Sequence, residues 1–113
     1  MVEMTVNVPE KLAARIGATG AWFPSLIELG LSSFRTKAAM TADELRTFLE
    51  ASPSAAEVIA YRASPRSHLR LNRLLTLNKA NLLTDREELE LDEFEKIEHV
   101  VVMLKAQAAR QQA

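Results

Sequence analysis

The chain has 113 residues, with 14 basic and 15 acidic side chains, 48% hydrophobic residues and no cysteine. This length allows one domain, or a small domain with an arm, and leaves little room for an enclosed active site. The near-neutral charge argues against electrostatic binding of nucleic acid by the whole molecule. The lack of cysteine excludes disulfides, thiol catalysis and cysteine-based zinc sites.

No run of about 18 apolar residues is present, so the sequence predicts no transmembrane helix. The first residues also lack the basic and then apolar pattern of a signal peptide. We therefore expect a cytoplasmic protein without membrane contact.

The first eight residues alternate between apolar and polar side chains. The apolar set is Val2, Met4, Val6 and Val8, and the polar set is Glu3, Thr5 and Asn7. This alternation is typical of a strand with one buried face, and Pro9 ends it. Because a strand must pair and no second strand is evident, we expect it to pair with its own copy in a second chain. The sequence thus predicts a homodimer held by Met4, Val6 and Val8.

From Pro9 onward the pattern predicts helices, because spacings typical of capping boxes precede apolar-periodic stretches. These spacings join Ser25 with Glu28, Thr41 with Glu44, Ser54 with Glu57, and Thr84 with Glu87, and Ser64 stands before Pro65. The predicted helices cover residues 10–16, 25–36, 42–51, 54–62, 65–80 and 85–110. The predicted fold class is mainly α, with one N-terminal β-strand.

Charge separates the last two predicted helices. Residues 51–83 carry a net charge of +4 and residues 84–113 a net charge of −4. Opposite charge on neighbouring helices favours an antiparallel hairpin that turns at residues 80–84. Arg66, Arg70 and Arg73 share one helical face, which suits either a phosphate or RNA contact or, as the preferred interpretation, pairing with the acidic helix. Leu91, Phe94, Ile97, Val101, Leu104 and Ala108 form an apolar stripe along that helix.

Residues 5–16 and 25–31 carry a short alternating strand, a helix, a glycine-containing turn and a second helix. This order resembles the ribbon-helix-helix fold of bacterial repressors and antitoxins, over about the first 37 residues. We accordingly divide the chain into a dimerisation module, residues 1–37, and a helical region with a C-terminal hairpin, residues 38–113.

The resemblance implies that outward side chains of the ribbon enter the DNA major groove and that the start of the second helix faces phosphate. The DNA-binding residues implied are Thr5, Asn7, Lys11 and Ser25. Glu3 and Glu10 oppose the basic groups Lys11 and Arg15, so dimerisation is favoured over DNA reading.

Residues 74–88, 93–95 and 98–101 look like the helical tail of a family of small bacterial proteins. Members join a ribbon-helix-helix-like start to a two-helix end with a Leu-Thr-x-x-Glu-Glu turn. This resemblance implies a toxin–antitoxin role in which the tail covers a partner such as a toxin nuclease. An amphipathic acidic helix suits such a role, with Phe94, Ile97, Val101 and Leu104 as apolar anchors and Glu90, Glu93 and Glu98 as the polar rim. The alternative is that the tail completes this protein's own core.

The two histidines, His68 and His99, belong to no catalytic or zinc-binding pattern. Glu95 and His99 have a spacing that can bind a metal, although on an acidic helix this spacing is more typical of a surface pair. The sequence therefore predicts no catalytic residue, metal or cofactor. The preferred hypothesis is an antitoxin-like, non-catalytic, protein-binding homodimer. A ribbon-helix-helix transcriptional regulator that binds operator DNA and a structural homo-oligomer are the alternatives.

Overall fold

A computed structural model describes residues 2–112. The fold is mainly helical, as predicted. Its helices are α1 (Glu10–Thr19), α2 (Phe23–Leu31), α3 (Ala38–Glu50), α4 (Ala55–Ala60), α5 (Pro65–Lys79) and α6 (Asp85–Gln112), with a 3-10 turn (Gly20–Trp22) before α2. Within these residues no helix has both the length and the apolar character needed to cross a membrane.

The predicted N-terminal strand is not present in the single chain. Residues 2–9 have no regular secondary structure, and Met1 lies outside the described residues. The physical reason is that residues 2–112 contain no strand with which this segment could form a hydrogen-bonded ladder.

Local capping signals correctly predict the starts of the last three helices. The Ser54 hydroxyl accepts a hydrogen bond from the Glu57 amide, and the Ser54 amide donates one to the Glu57 carboxylate. Thr84 and Glu87 exchange the same two bonds at 3.0 and 3.2 Å, at the start of α6. Ser64 caps α5, with Pro65 as its first residue. In each case the cap satisfies an amide that the helix itself leaves unpaired.

The predicted starts of α2 and α3 are wrong. Helix α2 begins at Phe23, because the preceding 3-10 turn leads directly into it, so Ser25 lies inside the helix. Helix α3 begins at Ala38, where the hydroxyl of Thr36 accepts a hydrogen bond from the Ala38 amide at 3.2 Å. Thr41 is consequently an interior residue, and its hydroxyl lies 2.6 Å from that of Ser67 on α5.

Helix α6 is the central element of the fold and contacts α2, α3, α4 and α5. Its buried apolar side chains are Leu91, Phe94, Ile97, Val100, Leu104 and Ala108, and they join Trp22, Leu29, Leu45, Leu49, Val58 and Leu74 in one core. Trp22 fastens the 3-10 turn, since its indole nitrogen donates to the carbonyl of Pro53 at 2.8 Å. The predicted apolar stripe of the last helix is therefore largely a core stripe, with Val101 half-buried.

The molecule is elongated, with extents of 46 × 33 × 26 Å. A 28-residue helix is about 42 Å long, which is close to the longest dimension of the chain, 46 Å. The radius of gyration is 15.6 Å, whereas a compact chain of this length has about 13 Å. The elongated shape exposes more surface than a compact domain of the same size would.

Candidate interaction surfaces

The N-terminal segment, residues 2–8, is the most exposed apolar part of the molecule. Val2 and Met4 are each 84% exposed, Val6 is 68% exposed and Val8 is 36% exposed. No backbone hydrogen bond within the described residues involves this segment. Its amides and carbonyls are therefore free to pair with another extended chain, and the three residues predicted to hold a dimer, Met4, Val6 and Val8, face solvent.

The residues predicted to bind DNA divide into two groups. Thr5, Asn7 and Lys11 are exposed, whereas Ser25 is buried, with 7% of its surface exposed. Helix α2 begins two residues before Ser25, so the amides of residues 25–27 are not the first of the helix. The first amide, that of Phe23, already donates to the carbonyl of Gly20. Residues 25–27 therefore do not form the free amide end of a helix that the resemblance implied.

Most of the residues predicted to bind a partner through α6 lie inside this chain. Phe94, Ile97 and Leu104 are buried in the core, and Val101 packs against it. The burial of these side chains agrees with the alternative interpretation, in which the tail completes the protein's own core. Of the predicted polar rim, Glu98 alone is exposed, whereas Glu90 and Glu93 are buried.

Glu93 is a buried carboxylate with a complete set of hydrogen bonds, and it is 1% exposed. One oxygen accepts from the Thr36 hydroxyl at 2.7 Å and from the Thr36 amide at 3.1 Å, and the Arg35 amide donates to both oxygens. Burial by itself would raise the pKa of Glu93. The hydrogen bonds from Arg35 and Thr36 outweigh it, so the pKa is held below its ordinary value of 4.5. Glu93 therefore fastens α6 to the loop before α3.

Glu90 forms the only described ion pair between α5 and α6. Its two oxygens accept from Nε and Nη2 of Arg70 at 2.6 and 2.7 Å, and the side chain of Glu90 is 4% exposed. The predicted pairing of the basic and acidic helices is thus present at one arginine. Within residues 2–112, Arg66 and Arg73 form no ion pair.

Sequence reasoning missed the buried roles of Glu90 and Glu93, although a signal was present. Glu90 precedes Phe94, Ile97 and Val101 at helical spacing, and Glu93 likewise precedes Ile97, Val100 and Leu104. Both carboxylates therefore belong to the buried face of α6. An acidic residue in register with a core stripe points to a buried, partnered carboxylate rather than to a solvated rim.

The surface that α6 leaves to solvent is a different stripe, which we call the outer face of α6. It consists of Glu95, Glu98, His99, Val102, Met103 and Ala106, all of them exposed. Val102 is 56% exposed and Met103 is 47% exposed. A carboxylate oxygen of Glu28 lies 3.6 Å from Nε2 of His99, so the imidazole faces α2.

Comparison of the chain with models of protein families, with curated proteins and with solved structures gives no match.

Proposed function

We propose that this chain is an antitoxin-like, non-catalytic binding protein that functions as a homodimer. The proposal rests on one observation, the exposed alternating segment at residues 2–8 beside a well-packed helical body. Segments with a free backbone and an apolar face bind by adding a strand to another chain. The partner with matching alternation is the same segment of a second copy, which would form a two-stranded ribbon.

We assign protein binding to the outer face of α6, because the apolar stripe predicted to bind a partner is buried in the core. Two adjacent apolar side chains, Val102 and Met103, lie exposed among Glu95 and Glu98. An apolar centre with acidic neighbours is complementary to an apolar patch with a basic rim, such as the surface of a nuclease that binds phosphate. Methionine suits such a contact because its flexible side chain adapts to a partner's shape.

The dimer is tested by a pair of double variants in the same segment. Met4→Asp with Val6→Asp places two charges on the apolar face, whereas Thr5→Asp with Asn7→Asp adds the same charge to the polar face. We expect sedimentation to show that the first variant is monomeric and that the second remains dimeric. Equal behaviour of the two variants would contradict pairing through the apolar face.

Partner binding is tested by crosslinking in extracts of the source cells, followed by reconstitution from purified components. The expected result is a complex of fixed stoichiometry that Val102→Asp with Met103→Asp abolishes. Leu69→Asp, at an exposed apolar residue of α5, is the control and should leave the complex intact.

Selection of the chain against a pool of random duplexes tests the regulator alternative. If one DNA sequence is enriched, and the double variant Thr5→Ala with Asn7→Ala no longer enriches it, DNA recognition would be favoured over protein binding. We expect no such enrichment, because the charges of Glu3 and Glu10 offset those of the few basic groups in this module, and Arg15 is already paired with Glu50 at 2.7 Å.

A further inference from the structure

A cleft opens between α5, α6 and the segment that follows α4, on the part of the molecule away from the α5–α6 turn. Its volume is about 260 Å³. The helices supply residues at helical spacing: Ser67, His68 and Leu71 from α5, and Phe94, Ile97, Glu98, Val101 and Lys105 from α6. Tyr61, Arg62 and Ala63, which follow α4, and Thr41 of α3 complete the lining. We call this space the α4–α6 cleft.

The floor of the cleft is apolar and belongs to the core. Phe94 and Ile97 are buried, and Leu71 and Val101 are partly buried against the same cluster. An apolar floor of this kind favours a ligand with a hydrocarbon or aromatic body, because binding removes apolar surface of both molecules from water. The volume lies just below the range of about 300–1,000 Å³ that is common for small-molecule sites. The ligand that fits is therefore small.

The rim of the cleft is basic. Arg62, Lys105 and His68 line it together with a single carboxylate, that of Glu98. Neither Arg62 nor Lys105 forms an ion pair with any residue in the range 2–112. Arg62 is exposed and Lys105 is half-buried, so both cations can reach a bound anion. A guanidinium and an ammonium group at one opening are complementary to a carboxylate.

Hydroxyl groups occupy another part of the lining. Thr41 and Ser67 are nearly buried, and their oxygens lie 2.6 Å apart in a network that includes the carboxylate of Glu44. Tyr61 contributes a phenol, and burial raises the pKa of this group, with a smaller contribution from Glu44. The phenol is therefore held in its neutral form and can donate a hydrogen bond to an anion.

We infer that the α4–α6 cleft binds a small organic acid whose apolar body lies on Leu71, Phe94 and Ile97 and whose carboxylate is held by Arg62 and Lys105. The inference does not depend on the ribbon or on the outer face of α6. It adds a ligand to a protein whose proposed function is otherwise protein binding. Because the floor residues come from both α5 and α6, an occupant would also stiffen the contact between these two helices.

The test is an NMR titration of the full chain with 3-phenylpropionate and with the matched alcohol, 3-phenylpropan-1-ol, in which the backbone amide resonances are followed. We expect saturable shifts at Tyr61, Leu71 and Val101 with the acid, and binding at least tenfold weaker with the alcohol. The charge reversals Arg62→Glu and Lys105→Glu should each weaken binding of the acid at least tenfold. Both lie at the rim, so circular dichroism should show an unchanged helical fold.

Arg110→Glu is the matched control, because Arg110 is an exposed residue of the same helix and does not line the cleft. This variant should bind the acid as the wild type does. Equal affinity for acid and alcohol, shifts confined to other surfaces, or an equal loss of binding in Arg110→Glu would each overturn the inference. An absence of saturable shifts at millimolar acid would overturn it as well.

Discussion

Two buried carboxylates determine how α6 is held in the fold. Glu93 binds the loop before α3 through backbone amides and a hydroxyl, and Glu90 binds Arg70 of α5. Each carboxylate lies in a nearly water-free position, where an unpaired charge would be costly. Their hydrogen bonds are therefore a condition for α6 to occupy the centre of the fold.

Replacing Glu93 by glutamine should destabilise the protein clearly. An amide group carries no charge, and its nitrogen would face the amides of Arg35 and Thr36, which are donors themselves. We expect the free energy of unfolding to fall by about 2–3 kcal/mol in urea titrations. Glu95→Gln, an exposed residue of the same helix, is the control and should change it by less than about 0.5 kcal/mol. A Glu93→Gln variant as stable as the control would contradict this role.

Glu93 also makes stability depend on pH in a defined direction. The pKa of Glu93 is below the ordinary value of 4.5 in the folded chain. At pH values between the folded and the unfolded pKa, the folded state therefore binds fewer protons than the unfolded state. The stabilisation is present above about pH 4.5 and is lost as the pH falls through the folded pKa. Glu50 and Glu87, whose pKa values are also lowered by hydrogen bonds from Arg15 and Thr84, add to this slope. Urea titrations between pH 7 and pH 3 should therefore show a shallower decline for Glu93→Gln than for the wild type.

Among the elements, α5 and α6 are joined by one described ion pair, that of Arg70 with Glu90, beside the packing of Leu71 and Leu74 against the core. Arg70→Ala should leave Glu90 buried without its partner and lower the free energy of unfolding by about 3 kcal/mol. Arg73→Ala, on the same helix and without an ion pair in the described residues, should have little effect. Replacing both partners, as in Arg70→Met with Glu90→Leu, should recover most of the loss, because no buried charge is then left unpaired. Equal stability of the two single variants would contradict this view of the hairpin.

The elements show which parts of the fold a local pattern can predict. Ser54, Ser64 and Thr84 form caps with residues three positions away, so the sequence alone predicts these helix starts. Thr41 and Glu44 have the same spacing, but Ser67 and Ser64 of a distant segment bind them instead. A tertiary partner therefore overrides the local signal, and the sequence of one segment does not contain that information.

The candidate sites also differ in whether the sequence alone reveals them. The exposed alternation of residues 2–8 and the apolar periodicity of α6 are visible in the sequence. The α4–α6 cleft is not, because Arg62 and Lys105 come from segments that only folding brings to one opening. Likewise, an amphipathic stripe does not reveal whether its apolar face binds a partner or the chain's own core. Here the burial of Phe94, Ile97 and Leu104 decides in favour of the core.

The whole molecule consists of a packed helical body and an exposed N-terminal segment. The body contains the core, whereas residues 2–8 contribute no buried side chain. Removal of the segment should therefore leave the helical signal and the thermal unfolding of the body nearly unchanged, while it removes the surface to which we assign the proposed dimerisation. This separation makes the oligomeric state the most informative property of the protein.

The most direct test is light scattering, coupled to gel filtration, of the full chain and of a chain that starts at Pro9. We expect twice the 12.6 kDa chain mass for the full chain and a folded monomer for the shortened one. A monomeric full chain, or a shortened chain that is still dimeric, would contradict the proposed ribbon and the proposed antitoxin-like function that depends on it.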